Sequence, residues 1–362
     1  MRIADVVTFA DIVKLPKKHL QEIATAMSID TNDRAFNLAK DIWSDLKRKS
    51  SGEKHDFLFN HYNKVFAGNT SVSWFTCDSL EGLKKGIIER ERNNPFNEKI
   101  PYKEEELINP KLRSAAEIDE DSYYLRFIYQ DGTRRIIGED IEVLPTTKTA
   151  TVYINETKNL VEVRDKPDDA LKIAGLVASY VNQQITLDKY NFLAPYGSKI
   201  EDIADQLHNG RFTESKAFPE TFIDTFNEKE NETIVNILGA IDEYYEYDDI
   251  DTLQQKLEEA KSILGDELLT SPFIAIILAG MGDVGLKVNE KDLRHTPFYN
   301  LLGPYLQTSG GYIKFQVEVN NVWQEFSINI GVRPKSVYFK SNKTTEEVIE
   351  EVRSKVILST FN

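Results

Sequence analysis

The chain of 362 residues contains one cysteine, Cys77. A single thiol excludes an intrachain disulfide and any cysteine-rich zinc site. There are five histidines, at positions 19, 55, 61, 208 and 295, and none has the spacing of a sequence-level metal motif such as HExxH. No apolar run approaches the roughly 20 residues that span a bilayer. Asp5 and Asp11 interrupt the N-terminal apolar stretch and no small-residue cleavage site follows, so no signal peptide is expected and the cytoplasm is the expected location. GxSxG, Walker A and protein-kinase signatures are all missing, and no cofactor is expected. Basic residues are in short supply too, 44 against 59 acidic ones, for a net charge of −15.

A hydrophobic content of 41% is enough to build real cores, and this length ordinarily holds two or three domains. The charge is unevenly spread. Residues 201–270 hold 19 acidic and 5 basic side chains, a local balance of −14, whereas residues 1–55 hold 10 basic and 8 acidic ones. The acidic stretch reads as a solvated helical surface, or as a docking face for a basic protein partner. The locally basic head is the one segment that points to a ligand class, nucleic acid.

In the head, residues 3–12 predict a short helix. Leu20, Ile23, Ala24 and Met27 recur at helical spacing behind Leu15-Pro16, where proline starts a helix without losing a needed N–H. Asp30 to Asp33 offers caps for a second helix whose apolar face is Ala35, Leu38, Ala39, Ile42 and Leu46. Ser50 to Glu53 reads as a linker. Residues 11–49 resemble the helix–extended loop–helix modules of the SAP and Rho N-terminal families, on Leu15, Leu20, Ile23, Ala24, Met27 and Ile29, then Ala35, Leu38, Ala39 and Ile42. Those families usually carry a glycine in the turn that is Met27-Ser28-Ile29 here. The resemblance implies binding to DNA or RNA, with Lys17, Lys18, Arg34, Lys40, Lys47, Arg48 and Lys49 as phosphate contacts whose strength would fall with salt. The competing reading of the same residues is a helical docking or oligomerisation domain with solvated lysines.

Beyond the head, residues 55–92 read as mostly helical, and 93–113, with Pro95, Pro101 and Pro110, as an irregular connection. The apolar period then changes from helical to two. Tyr123, Leu125, Phe127 and Tyr129 alternate with Tyr124, Arg126 and Ile128, and Asp131-Gly132 signals a hairpin turn. Strands follow at 141–143, 151–154 and 160–164, then a helix opened by Pro167. Strand-spaced aromatics like these usually pack a core, with base stacking, helped by Arg126, Arg134 and Arg135, as the alternative. At the C-terminus, 312–319 and 322–330 flank a turn at Asn320-Asn321, 336–340 forms a third strand, and Thr344 to Glu347 fits a capping box before a last helix. Residues 243–251 read as a tyrosine-studded acidic connection.

Two further motifs are weak. Gly280 to Gly285 matches GxGxxG, but Ser271-Pro272 predicts a buried helix over 273–279 ended by glycine, rather than a strand leading into a dinucleotide turn. Asp140, Glu156 and Lys158 can be arranged as a metal-dependent nuclease centre, although Glu156 falls in a predicted turn.

The expected fold class is α+β: a small N-terminal helical domain, then antiparallel β-meander-plus-helix units separated by an acidic helical insert. The expected divisions are a head (1–52), a helical extension and connection (53–115), a meander plus helix (116–200), the acidic helical region (201–285) and a second meander plus helix (286–362). The expected function is non-enzymatic: a nucleic-acid-associated recognition or scaffold protein, contacting DNA or RNA through residues 1–52 and binding partners or self-assembling through the body. A purely protein-binding scaffold, docking a basic partner at residues 201–270, and a metal-dependent nuclease are the alternatives.

Overall fold

The computed structural model describes all residues except 104–105, 138–140, 182–185, 198, 220–227, 248, 265–283, 289–290, 303–305 and 361–362. The fold is α+β, with N-terminal helices followed by an antiparallel sheet of eleven strands and interspersed helices. The chain forms two compact units: residues 1–210 with 314–362, and residues 211–313. Among the described residues no helix is long and apolar enough to cross a membrane.

The first unit opens with α1 (Ile3–Val6) and α2 (Phe9–Val13), where one helix was expected. The break falls at Val7-Thr8, and a capping box between Thr8 and Asp11 restarts the helix. Next come α3 (Lys17–Ala26) and α4 (Ala35–Leu46), joined by an eight-residue loop. Leu20, Ile23 and Ala24 of α3 and Leu38, Ala39, Ile42 and Leu46 of α4 are buried, as their spacing predicts. Where the resembling families place glycine, Ser28 adopts φ 60°, and the Ile29 N–H reaches back to the Ala24 carbonyl at 2.8 Å. A serine thus closes a turn that glycine closes without a Cβ penalty. Ser50 to Glu53 is no linker: Ser50 caps α5 (Ser51–Leu58) in a capping box with Glu53, a Ser-x-x-Glu signature that its polarity disguises. A short helix α6 (Tyr62–Val65) completes the head.

The region expected to be helical from 55 to 92 contains β1 (Thr70–Thr76), ahead of α7 (Leu83–Arg90). β1 pairs antiparallel with both β5 and β11, so it is flanked on each edge. Val72, Trp74 and Phe75 are fully buried. A strand covered on both faces shows no polar alternation, and so its sequence is not readily distinguished from a buried helix. The sheet order in this unit is β2 (Lys111–Glu117), β3 (Ser122–Ile137), β4 (Ile141–Asn155), β5 (Leu160–Arg164), β1, β11 (Ser336–Phe339), β10 (Val322–Gly331) and the part of β9 (Leu306–Val319) from residue 314 onward, with the two-residue β6 (Asp188–Lys189) also on β1. Asn320 and Asn321, both at positive φ, turn β9 into β10 as expected. Asp131-Gly132 does not turn the chain. β3 continues past it, and the two residues stand opposite Thr146 alone in a bulge, with Gly132 at φ 110°.

The sheet has a core on each face. Phe75, Leu125, Phe127, Val152, Ile154, Val161 and Val163 pack with α7 and α8 (Pro167–Tyr180). On the other face the head helices share their core with Ala116 and Tyr124. Arg126, 1% exposed, is held between them. It donates to Asp11 Oδ2 at 2.6 Å and lies 4.6 Å over the Phe66 ring.

Residues 211–285 of the second unit, expected within an acidic helical region, also contain strands. β7 (Arg211–Pro219) pairs with β8 (Val284–Lys287), and α10 (Glu228–Tyr247) packs on α11 (Ile250–Leu264); α9 (Ile200–Ile203) precedes them in the first unit. Ile237, Ala240 and Ala260 are buried there. Residues 243–247 of the expected connection belong to α10. The helix expected over 273–279 and Gly280 to Asp283 of the glycine motif lie outside the described residues, and its last glycine, Gly285, sits in β8.

Asp11→Ala leaves Arg126 as an unpaired buried charge and is expected to cost about 3–5 kcal/mol. Arg126→Met added to it should recover most of that loss. Urea denaturation of the three chains measures both, and a cost under about 1 kcal/mol for the single variant would show that the pair does not hold the head to the sheet.

Candidate functional site

The register of the sheet sets two polar rows on the face toward the head. Tyr124, Tyr153, Glu162 and Trp74 are successive cross-strand partners, and so are Arg126, Thr151, Arg164 and Val72. Glu162 is fully buried. Its carboxylate accepts from Trp74 Nε1 at 2.9 Å, from Arg164 Nε at 2.9 Å, and from Arg353 through Nε at 2.7 Å and Nη2 at 3.1 Å. Burial pushes the Glu162 carboxyl up, but the Arg353 and Arg164 guanidinium groups outweigh it and bring it down to about 2.

The last helix (Glu346–Val352) and the π-turn that follows it (Arg353–Ile357) lie over this network. Glu346, Glu350 and Arg353 follow at spacings of four and three, hence on one face. Glu346 takes both Arg164 Nη atoms, Glu350 pairs with Arg353, and Arg353 stacks 4.2 Å over the Tyr153 ring. Arg164 also donates to the Phe66 carbonyl at 3.1 Å, which ties in the end of the head. The expected capping box is not formed. The N-cap is Thr345, which makes no side-chain cap bond, and its third helical residue is Val348, which has no carboxylate to complete the box; Glu346 reaches Arg164 and Glu347 accepts from Asn63.

Above the network is a cleft of about 620 Å³. Tyr124, Tyr153 and Arg353 line it, with Ile118, Val317 and Trp323, and five carboxylates: Glu318, Glu346, Glu347, Glu350 and Glu351. Glu318, Glu347 and Glu351 carry no ion pair among the described residues, and Trp323 is 52% exposed beside the His208 ring at 4.2 Å. The cleft is therefore negative at its rim, with Tyr153 and Trp323 as its accessible aromatic walls, which suits a cationic group.

The basic side chains of the head do not form one patch. Lys17, Lys18, Arg34 and Lys40 are exposed around α3 and the first half of α4. Lys47, Arg48 and Lys49 stand at the C-terminal end of α4, about 10 Å along the helix from Lys40 and about 20 Å from Arg34. There Arg48 pairs with Asp45 at 3.1 Å, Lys49 lies between Asp45 and Glu53, and Lys47 lies over the Trp43 ring. Tyr123, Tyr124, Phe127 and Tyr129 are all buried, so they offer no surface for stacking bases, and Arg126 is buried with them.

Of the nuclease constellation, Asp140 lies outside the described residues. Glu156 accepts from the Tyr123 hydroxyl at 2.8 Å and from the Lys84 N–H at 3.0 Å, as a cap on α7. Cys77 is half-buried, and burial raises its thiol.

One group with metal-ligand geometry occurs among the described residues: His19, Glu22 and His61. His19 Nδ1 is 3.2 Å from His61 Nδ1 and 3.3 Å from Glu22 Oε2. Burial, and then neighbouring Lys64 for His19 and His19 for His61, hold both imidazoles below their ordinary value. The separation of 42 positions between the histidines hides this group from any spacing rule. No protein-family model and no curated protein matches this chain.

Glu162→Gln is expected to destabilise the protein by about 3–5 kcal/mol at neutral pH, because two buried arginines lose their shared carboxylate. A carboxyl lowered on folding contributes stability above its unfolded value, near 4.5, and loses that contribution as pH falls toward 2. Urea midpoints of the native and Glu162→Gln chains should therefore converge in acid. A constant gap between them down to about pH 2 would contradict this.

Proposed function

We propose that the protein is a non-enzymatic recognition protein whose cleft receives a lysine or arginine side chain from a protein partner. The observation that carries this reading is the pairing of three carboxylates without ion pairs among the described residues, Glu318, Glu347 and Glu351, with exposed Trp323 around a floor of fixed charge. The Glu162–Arg164–Arg353 network keeps the floor rigid, so the rim is pre-organised before a partner arrives. We propose the last helix, rather than residues 201–270, as the place where a basic partner docks. A second reading rests on the head, where exposed Lys17, Lys18, Arg34 and Lys40 around a helix–loop–helix support contact with DNA or RNA phosphates.

Fluorescence anisotropy of the full chain separates the two. Labelled arginine- and lysine-containing peptides should bind, more weakly as salt rises, and Glu318→Lys with Glu351→Lys should weaken them at least tenfold, about 1.4 kcal/mol. Peptide binding untouched by that double change sinks the cleft reading. Single- and double-stranded DNA and RNA test the head, where Lys17→Glu with Lys18→Glu, Arg34→Glu and Lys40→Glu should abolish any salt-sensitive binding. Nucleic-acid binding indifferent to those four changes sinks the second reading.

A further inference from the structure

We propose that His19, Glu22 and His61 form a binding site for a borderline divalent transition metal, zinc in the first place, that staples α3 to the turn ahead of α6. A tetrahedral zinc with its ligands at about 2.0–2.1 Å spaces them about 3.3–3.4 Å apart. The Nδ1 atoms of the two histidines are 3.2 Å apart, and Glu22 Oε2 is 3.3 Å from the first of them. All three ligand atoms fall within 4.8 Å of one another. Two imidazole nitrogens and a carboxylate oxygen form a donor set that suits zinc, copper, nickel or cobalt rather than magnesium or calcium.

The surroundings fix the orientation of this set. His19 and Glu22 are one helical turn apart on α3, and so face the same way. His61 is 6% exposed at the end of a 3₁₀ turn, with its ring at 79° to that of His19. Lys64 Nζ is 3.0 Å from His19 Nε2 and donates to it, which assigns the ring proton to Nδ1, between His61 and Glu22. A metal binding at Nδ1 releases that proton to solvent, and the Lys64 ammonium passes one of its own to Nε2, so the ring stays a neutral imidazole and Lys64 becomes a neutral amine that accepts from it. Glu22 is the exposed member, so the fourth position opens to water on its side. Three protein ligands and one open position is the arrangement of a zinc site that exchanges its fourth ligand, not of a closed structural one. The metal would join segments 42 residues apart within the head, and binding only the folded chain would raise its melting temperature.

The test uses the full chain without a histidine tag, freed of metal by chelator and titrated with ZnCl₂ by calorimetry and with CoCl₂ by visible absorption. One zinc per chain, a cobalt spectrum of low-symmetry four-coordination, and a zinc-dependent rise in melting temperature are expected. His19→Asn and Glu22→Gln lie at partly exposed and exposed positions, and circular dichroism confirms that each folds. Each should weaken zinc at least tenfold, and together they should remove the thermal shift. No zinc uptake by the native chain, or uptake unchanged in the double variant, overturns the site.

Discussion

The first unit depends on one carboxylate. Glu162 is fully buried in β5 and is shared by Arg164 on its own strand, Arg353 after the last helix and Trp74 on β1. A charge in that position is tolerable only when it is paired and all its acceptor capacity is used. Satisfying it takes elements from three parts of the chain, residues 70–76, 160–164 and 346–357. The carboxylate therefore specifies which segments meet, as well as holding them together. Arg164 extends the same constraint to the head through the Phe66 carbonyl and to the last helix through Glu346.

A sheet buried on two faces follows from this arrangement. One face is apolar and covered by α7 and α8, whereas the other carries the Tyr124–Glu162 and Arg126–Arg164 rows and is covered by the head and the last helix. Buried guanidinium groups on that second face are matched by carboxylates from whatever packs there: Asp11 from α2 for Arg126, and Glu346 and Glu350 from the last helix for Arg164 and Arg353. Polar pairing of this kind fixes the docking geometry of each cover more narrowly than apolar contact does, since a shift of about 1 Å leaves a buried charge without its partner.

The chemistry available to a partner is set by what this pairing leaves over. The last helix offers more carboxylates than the two arginines consume, and the surplus, with Glu318 from β9, gives the cleft its sign. In the head, by contrast, Arg48 and Lys49 at the end of α4 have acidic neighbours, and Lys47 lies over the Trp43 ring. The histidine pair lies at a third place, where α3 meets the turn before α6, and is distinct from both the cleft lining and the α4 cations.

Local patterns were legible in the sequence wherever a single element carries its own signal. The apolar faces of α3 and α4, the Asn320-Asn321 turn and the helix opened by Pro167 each follow from spacing or turn chemistry alone. So did the α+β class, because the apolar period changes from helical to two at Tyr123. β1 escaped because a strand flanked and covered on both sides loses its alternation, and Asp131-Gly132 misled because the same pair serves a turn or a bulge. Nothing in the local sequence marks Glu162 and Arg353 among 28% charged residues, and Arg126 stands out only as a neighbour of aromatics for which base stacking was the alternative reading. Only the tertiary structure decided that they are buried and paired, and that His19 meets His61. These contacts join residues 42 to 191 positions apart, and local sequence encodes the period of each element but not the partner that its face will find.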